Sequence, residues 1–131
     1  MKKNKVLYLG PLDFLPDVRE CFAENVDVIA CQPTQYDVEK NIEHADAIID
    51  ASMNVRFSQA LLEKTKNLII VSTATTGSDH IDAEYLESKR IRLHTLREDQ
   101  ELLKTLTPAA EHSWMLLMGL ARQTVAAHKH V

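Results

Sequence analysis

Residues 69–122 read IIVSTATTGSDHIDAEYLESKRIRLHTLREDQELLKTLTPAAEHSWMLLMGLAR, and the fold turns on how they are read. The apolar run from Leu68 to Ala74 has the length and composition of a buried strand, and it gives way to a Thr-Thr-Gly loop. Asp79-His80-Ile81-Asp82 makes a turn, Asp82 to Lys89 fits a short helix, and Ile91 to Leu96 fits a second strand. Thr107 to Val131 then reads as one long helix. Thr107 suits an N-cap, and Pro108 sits where a missing N–H costs nothing. Glu111 lies in the first turn, where the helix dipole favours negative charge. Trp114, Met115, Leu116, Leu117, Met118 and Leu120 cover nearly every face of the middle of this helix. A helix that is apolar all round expects to be buried all round, so it asks for a partner, either a second domain or another copy of the chain.

The same alternation runs upstream. Lys5 to Gly10 is a short apolar strand closed by Gly10-Pro11. Phe14, Leu15, Val18, Cys21 and Phe22 give Asp13 to Asn25 the spacing of a helix. Val26 to Cys31 is a second strand stopped by Pro33, Tyr36 to Ala45 a polar helix, and Ala47 to Asp50 a third strand. Ser58 to Asn67 is a helix with Ser58 as its N-cap. Arg97, Glu98, Asp99, Glu101 and Lys104 read as a solvated connection. Five strands alternating with helices predict an α/β domain built on a parallel sheet covered on both faces.

Composition narrows the function classes. A chain of 131 residues with 45% hydrophobic and 26% charged residues is ordinary globular material for one domain. A net charge of -4 with no basic stripe speaks against nucleic acid as a partner. Cys21 and Cys31 have no metal-type spacing and fit reduced thiols better than a disulfide framework. The basic start, Met1-Lys2-Lys3-Asn4-Lys5, is not followed by an apolar run long enough for a signal segment, and nothing approaches a membrane span. The expectation is a soluble, cytoplasmic protein with no membrane partner.

Two segments carry a resemblance. Thr76-Gly77-Ser78-Asp79-His80-Ile81-Asp82 is similar to a TG-x-D-x-ID segment of the D-isomer-specific 2-hydroxyacid dehydrogenases, the family that includes D-3-phosphoglycerate dehydrogenase. Ala110-Glu111-His112, then Trp114 to Met118, then Leu120-Ala121-Arg122 resembles that family's AEH-like opening of a long apolar helix ending in Leu-Ala-Arg. The resemblance covers nearly the whole chain. It implies a flavodoxin-like, doubly wound five-stranded sheet of order 2-1-3-4-5. A substrate-binding domain over residues 1–106 would be followed by a long crossover helix over 107–131, leading to a nucleotide-binding domain that is absent here. It implies an oxidoreductase that acts on the CH–OH group of a small D-2-hydroxy acid, phosphoglycerate dehydrogenase-like, with NAD or NADP in the full-length enzyme.

Gly10, Gly77 and Gly119 are the three glycines, and no two are spaced as G-x-G. The phosphate-cradling fingerprint is therefore missing, and no cofactor is expected on this chain. The family's catalytic Arg, Glu and His lie beyond that fingerprint, so no catalytic residue is carried over. The chain reads as the first part of a longer enzyme, inactive by itself.

In open α/β sheets, ligands bind outside the carboxyl ends of the strands. Two loops qualify, and the resemblance implies that they hold the substrate carboxylate with backbone N–H groups and small hydroxyls. They supply Ser52, Met53 and Asn54 after the third strand, and Thr76, Gly77 and Ser78 after the fourth. Ser52 aligns with the Ser of the family's R-S-x-T, Asn54 falls where Thr is usual, and Ala51 falls where many members carry Arg. Gly77 would let the backbone approach a ligand closely. The partner is then a small 2-hydroxy or 2-oxo acid. Trp114, Leu117, Met118 and Ala121 offer a surface for a homo-oligomer. His112, beside Glu111, is a candidate for the interdomain cleft, whereas His80 reads as a capping or surface histidine. His128 and His130 stand two apart on a helix and point away from each other, so no metal site is assigned.

Two other readings compete. A phosphoacceptor receiver would use Asp50 at the end of the third strand and Thr73 near the end of the fourth. It would also want an acidic pair where Gly10-Pro11-Leu12-Asp13 stands and a Lys where Leu96-Arg97 stands. The third is a free-standing interaction module that dimerises through its last helix.

Overall fold

The computed structural model describes residues 3–129. Met1 and Lys2 of the basic start, and His130 and Val131 of the helix expected from sequence, lie outside the described residues. The chain divides into two compact units, the first closing at Glu98 and the second opening at Asp99.

The first unit runs β1 (Asn4–Leu9), α1 (Leu15–Glu20), β2 (Val26–Ala30), α2 (Gln35–Asn41), β3 (Ala47–Asp50), α3 (Gln59–Leu62), β4 (Ile70–Thr73), α4 (Ala83–Ser88) and β5 (Arg92–Thr95). Its sheet has the order β2-β1-β3-β4-β5, and every pairing is parallel. The apolar runs of the sequence are these strands, because a strand buried on both faces needs apolar residues at successive positions. Leu7, Leu9, Ile48 and Val71 point to one face and pack with Val38 of α2, Ile42 just after that helix, Leu61 and Leu62 of α3, and Leu86 of α4. Val6, Tyr8 and Val28 point to the other, under Leu15 and Val18 of α1. Val38 and Ile42 are fully buried, so the helix that looked polar is amphipathic.

Several helices are shorter than their patterns suggest. The segment before β2 splits into a 3-10 turn, Leu12–Phe14, and α1. The segment after Ser58 is helical only over Gln59–Leu62, and the Ser58 side chain makes no capping bond. Asp82 does cap: its Oδ1 accepts from the Tyr85 N–H at 3.0 Å and starts α4.

The second unit holds α5 (Gln100–Thr105), α6 (Pro108–Ala121) and α7 (Thr124–His128). The charged connection thus contains a helix, capped by Asp99, whose Oδ1 accepts from the Leu102 N–H at 3.1 Å. The long final pattern is divided after Ala121. Gln123 adopts φ 49, the left-handed conformation that commonly ends helices, and its N–H donates to the Leu120 carbonyl at 3.1 Å. Thr107 precedes α6, but its hydroxyl donates to Glu111 Oε1 at 2.5 Å and caps no backbone N–H. Most apolar side chains of α6 are exposed, Trp114 at 64% and Leu120 at 78%, with Met118 partly buried. Among the described residues, no helix is long and apolar enough to cross a membrane.

Candidate functional site

Asp50 ends β3 and Thr73 ends β4, directly opposite each other in the ladder. Both are buried polar residues at the carboxyl edge of the sheet. A buried carboxyl group must find donors, and Asp50 finds them in the two loops that leave this edge. Its Oδ1 accepts from the Ser52 N–H at 2.9 Å, the Ser52 hydroxyl at 2.7 Å and, more weakly, the Met53 N–H at 3.3 Å. Its Oδ2 lies 2.8 Å from His80 Nε2, across the gap to the loop after β4. The Asn54 N–H donates to the Ser52 hydroxyl at 3.2 Å, which closes the turn. Within that turn Met53 takes φ 57, a left-handed conformation that non-glycine residues seldom adopt.

The second loop is organised around Thr73. The Thr73 and Thr75 hydroxyls are 2.7 Å apart, and the Thr75 hydroxyl donates to the Gly77 carbonyl at 2.7 Å. The loops are then tied by backbone. The Phe57 N–H donates to the His80 carbonyl at 2.8 Å, and the Asp82 N–H donates to the Phe57 carbonyl at 2.9 Å. This makes a short parallel bridge between Phe57 and Ile81, both buried.

All six residues expected at the site therefore stand at one edge of the sheet, but they are not equivalent. The N–H groups of Ser52, Met53 and Asn54 are engaged within their own turn, so that loop offers the Asn54 amide and the half-exposed Met53 side chain. By contrast, no hydrogen bond among the described residues uses the N–H groups of Thr76, Gly77 or Ser78. A Cβ built on Gly77 would meet nothing within 4 Å, and no glycine has positive φ. The site at Gly77 is open, and its backbone does not require glycine.

The sequence reading missed the pairing of Asp50 with His80. His80 is no surface residue: its side chain is 11% exposed, and its Nδ1 is buried with no hydrogen-bond partner among the described residues. Thirty positions separate the two residues, and only an Asp closing an apolar run signalled that the carboxyl group would be buried. Glu111 accepts from Thr107, and His112 lies exposed on α6 in the second unit. Among the described residues, no group of three His, Cys, Asp or Glu side chains is placed to hold a metal.

The turn after β1 does not fit the pyrophosphate of a dinucleotide. Such a group would need that turn, where the Tyr8 ring lies against Gly10 and the next residue, Pro11, has no N–H. The Tyr8 hydroxyl donates to the Pro11 carbonyl at 3.1 Å, which fixes the ring there.

Comparison with known proteins bears on the fold and the family. A formate dehydrogenase of Candida boidinii is 31% identical over 96 residues, covering 72% of this chain and 26% of that protein. An erythronate-4-phosphate dehydrogenase of Aeromonas hydrophila is 35% identical over 77 residues, 59% of this chain and 20% of that protein. The chain thus spans about a quarter or less of the length of these relatives. The crystal structure of D-lactate dehydrogenase from Aquifex aeolicus, complexed with NAD and lactic acid, superposes with a TM-score of 0.70 at 20% identity, over 96% of this chain and 37% of that one. NAD-dependent formate dehydrogenase from Staphylococcus aureus, in complex with NAD, gives 0.68 at 22% identity, over 95% and 40%. At such identities the structural likeness speaks for the fold. The family model described as "D-isomer specific 2-hydroxyacid dehydrogenase, catalytic domain" matches residues 6–96, most of the chain, and the protein belongs to that family.

Proposed function

We propose that this chain is the substrate-binding part of an NAD- or NADP-dependent oxidoreductase that acts on a small D-2-hydroxy or 2-oxo acid. The reading rests on one observation: three unengaged N–H groups, of Thr76, Gly77 and Ser78, beside an anchored loop at the carboxyl edge of the sheet. Successive free amides of this kind suit a carboxylate. The Asn54 amide and the Met53 side chain would meet the rest of a short substrate. Holding the acid in place is the contribution such a domain makes to rate. Nicotinamide cofactor, base and electrophile would come from residues outside those described here. Ala51 puts no cation beside Ser52, and the cation of the first loop, Arg56, stands at its far end next to Phe57; this favours a plain carboxylic acid over a phosphorylated one such as phosphoglycerate. Two free thiols, one exposed and one buried, support a reducing, cytoplasmic setting. The exposed apolar face of α6 supports self-association through Trp114, Leu117, Met118 and Ala121.

A receiver role is disfavoured by Asp50, which is fully buried with both carboxyl oxygens engaged and has no room for a phosphoryl group. The test of the main reading is Gly77→Asp against Gly77→Ala, both of which fit the open space sterically. Glyoxylate should shift the amide resonances of residues 76–78 in the unmodified chain and in the alanine variant. It should leave them unmoved in the aspartate variant, at unchanged melting temperature. An equal response in the aspartate variant would remove the carboxylate from this loop.

A further inference from the structure

We propose that His80 is a positioning residue for the loop after β3, acting through the Asp50 carboxyl group; its bearing on ligand rests on the substrate-binding reading above. The two oxygens of Asp50 face different loops. Oδ1 already faces Ser52 and Met53, so the turn that presents Met53 and Asn54 is built on that one atom. Among the described residues, Oδ2 has a single hydrogen-bonding neighbour, His80 Nε2 at 2.8 Å. The Nε2–H tautomer of His80 makes that contact a donor–acceptor pair, and it leaves Nδ1 as a bare acceptor rather than a stranded N–H.

With both oxygens held, the carboxyl plane cannot swing about its Cβ–Cγ bond. The turn, including Met53 at φ 57, is then held in a conformation that it would not keep alone. The backbone bridge from Phe57 to His80 and Asp82 does not need the imidazole, so removing that ring separates the positioning role from the fold. His80 therefore reaches the ligand loop without touching the ligand. It sets where the Asn54 amide stands relative to the free N–H groups of Thr76, Gly77 and Ser78.

The experiment compares the unmodified chain with His80→Ala and with His80→Gln, whose terminal amide N–H can stand in for Nε2–H. Amide hydrogen exchange should show protection at Ser52 and Met53 falling about tenfold in the alanine variant, with Ile48 and Val71 in the sheet unchanged. Glyoxylate affinity, followed at residues 76–78, should weaken in parallel, and the glutamine variant should recover both. Unchanged protection at Ser52 and Met53, or a glutamine variant that behaves like alanine, would overturn the proposal. If the alanine variant does not fold, the imidazole nitrogen shifts of the unmodified chain decide: protonation at Nε2 supports the positioning role, and protonation at Nδ1 alone overturns it. A wild-type chain that ignores glyoxylate would sink the substrate reading while the exchange data still judged His80.

Discussion

A methyl group at position 10 has nowhere to go. A Cβ there would stand 2.9 Å from Cε2 of Tyr8 and closer still to the hydroxyl end of the ring, which is buried and hydrogen-bonded to Pro11. Gly10→Ala should therefore lower stability by about 1–3 kcal/mol, the usual cost of overpacking. A denaturant midpoint equal to that of the unmodified chain would refute this. The thiols make a second pair of contrasting sites. Burial, with the charge of Asp37 second, pushes the Cys31 thiol up, against a weaker opposing hydrogen bond from Asn41. Burial likewise pushes the Tyr8 phenol up. In both cases the folded chain holds its proton longer than the unfolded one. The linked stability is intact below the ordinary thiol value and falls as pH rises through it toward the folded value. Unfolding midpoints should therefore drop on moving from neutral to alkaline pH, and less so in Cys31→Ala. Iodoacetamide should label the exposed Cys21 and spare Cys31 until the chain unfolds, as read by mass spectrometry.

The break after α6 shows why some helices were legible and others were not. Pattern alone carries the helix from Pro108 onward, but nothing about Gln123 announces a left-handed residue, since Gly or Asn is the usual choice there. Gln123→Gly should relieve that conformation and add up to about 1 kcal/mol to the end of α6. The readout is slower amide exchange over residues 120–123, and no slowing would count against the strain. Strands were easier. β3 and β4 are apolar runs bounded by polar turns, and their parallel burial needs no finer signal. The α5 helix hid inside charged residues, although Asp99 with the later Leu102 and Leu103 was a readable start. The site was half legible. The loops could be placed from the strand ends, but Asp50 and His80 meet only through the crossover that sets β4 beside β3.

For the chain as a whole, the exposed apolar side chains of α6 lead to a prediction about association. Trp114, Met115, Leu116, Leu117 and Leu120 are all more than half exposed on one short helix. Self-association should therefore appear in light scattering as concentration rises, and Leu117→Glu should abolish it; a monomer at every concentration would rule it out. The bridge between Phe57 and Ile81 has a different consequence. It fastens each of the two loops at its far end, while the sheet fastens it at the near end. Residues 51–56 and 74–80 thus behave as two replaceable inserts on a frame that draws on Val55, buried in the core, and on His80, paired with Asp50, from among their side chains. A lineage could rewrite the inserts to suit a new acid without refolding the frame, and a graft cut at Asp50 and Phe57 should carry one protein's preference into another.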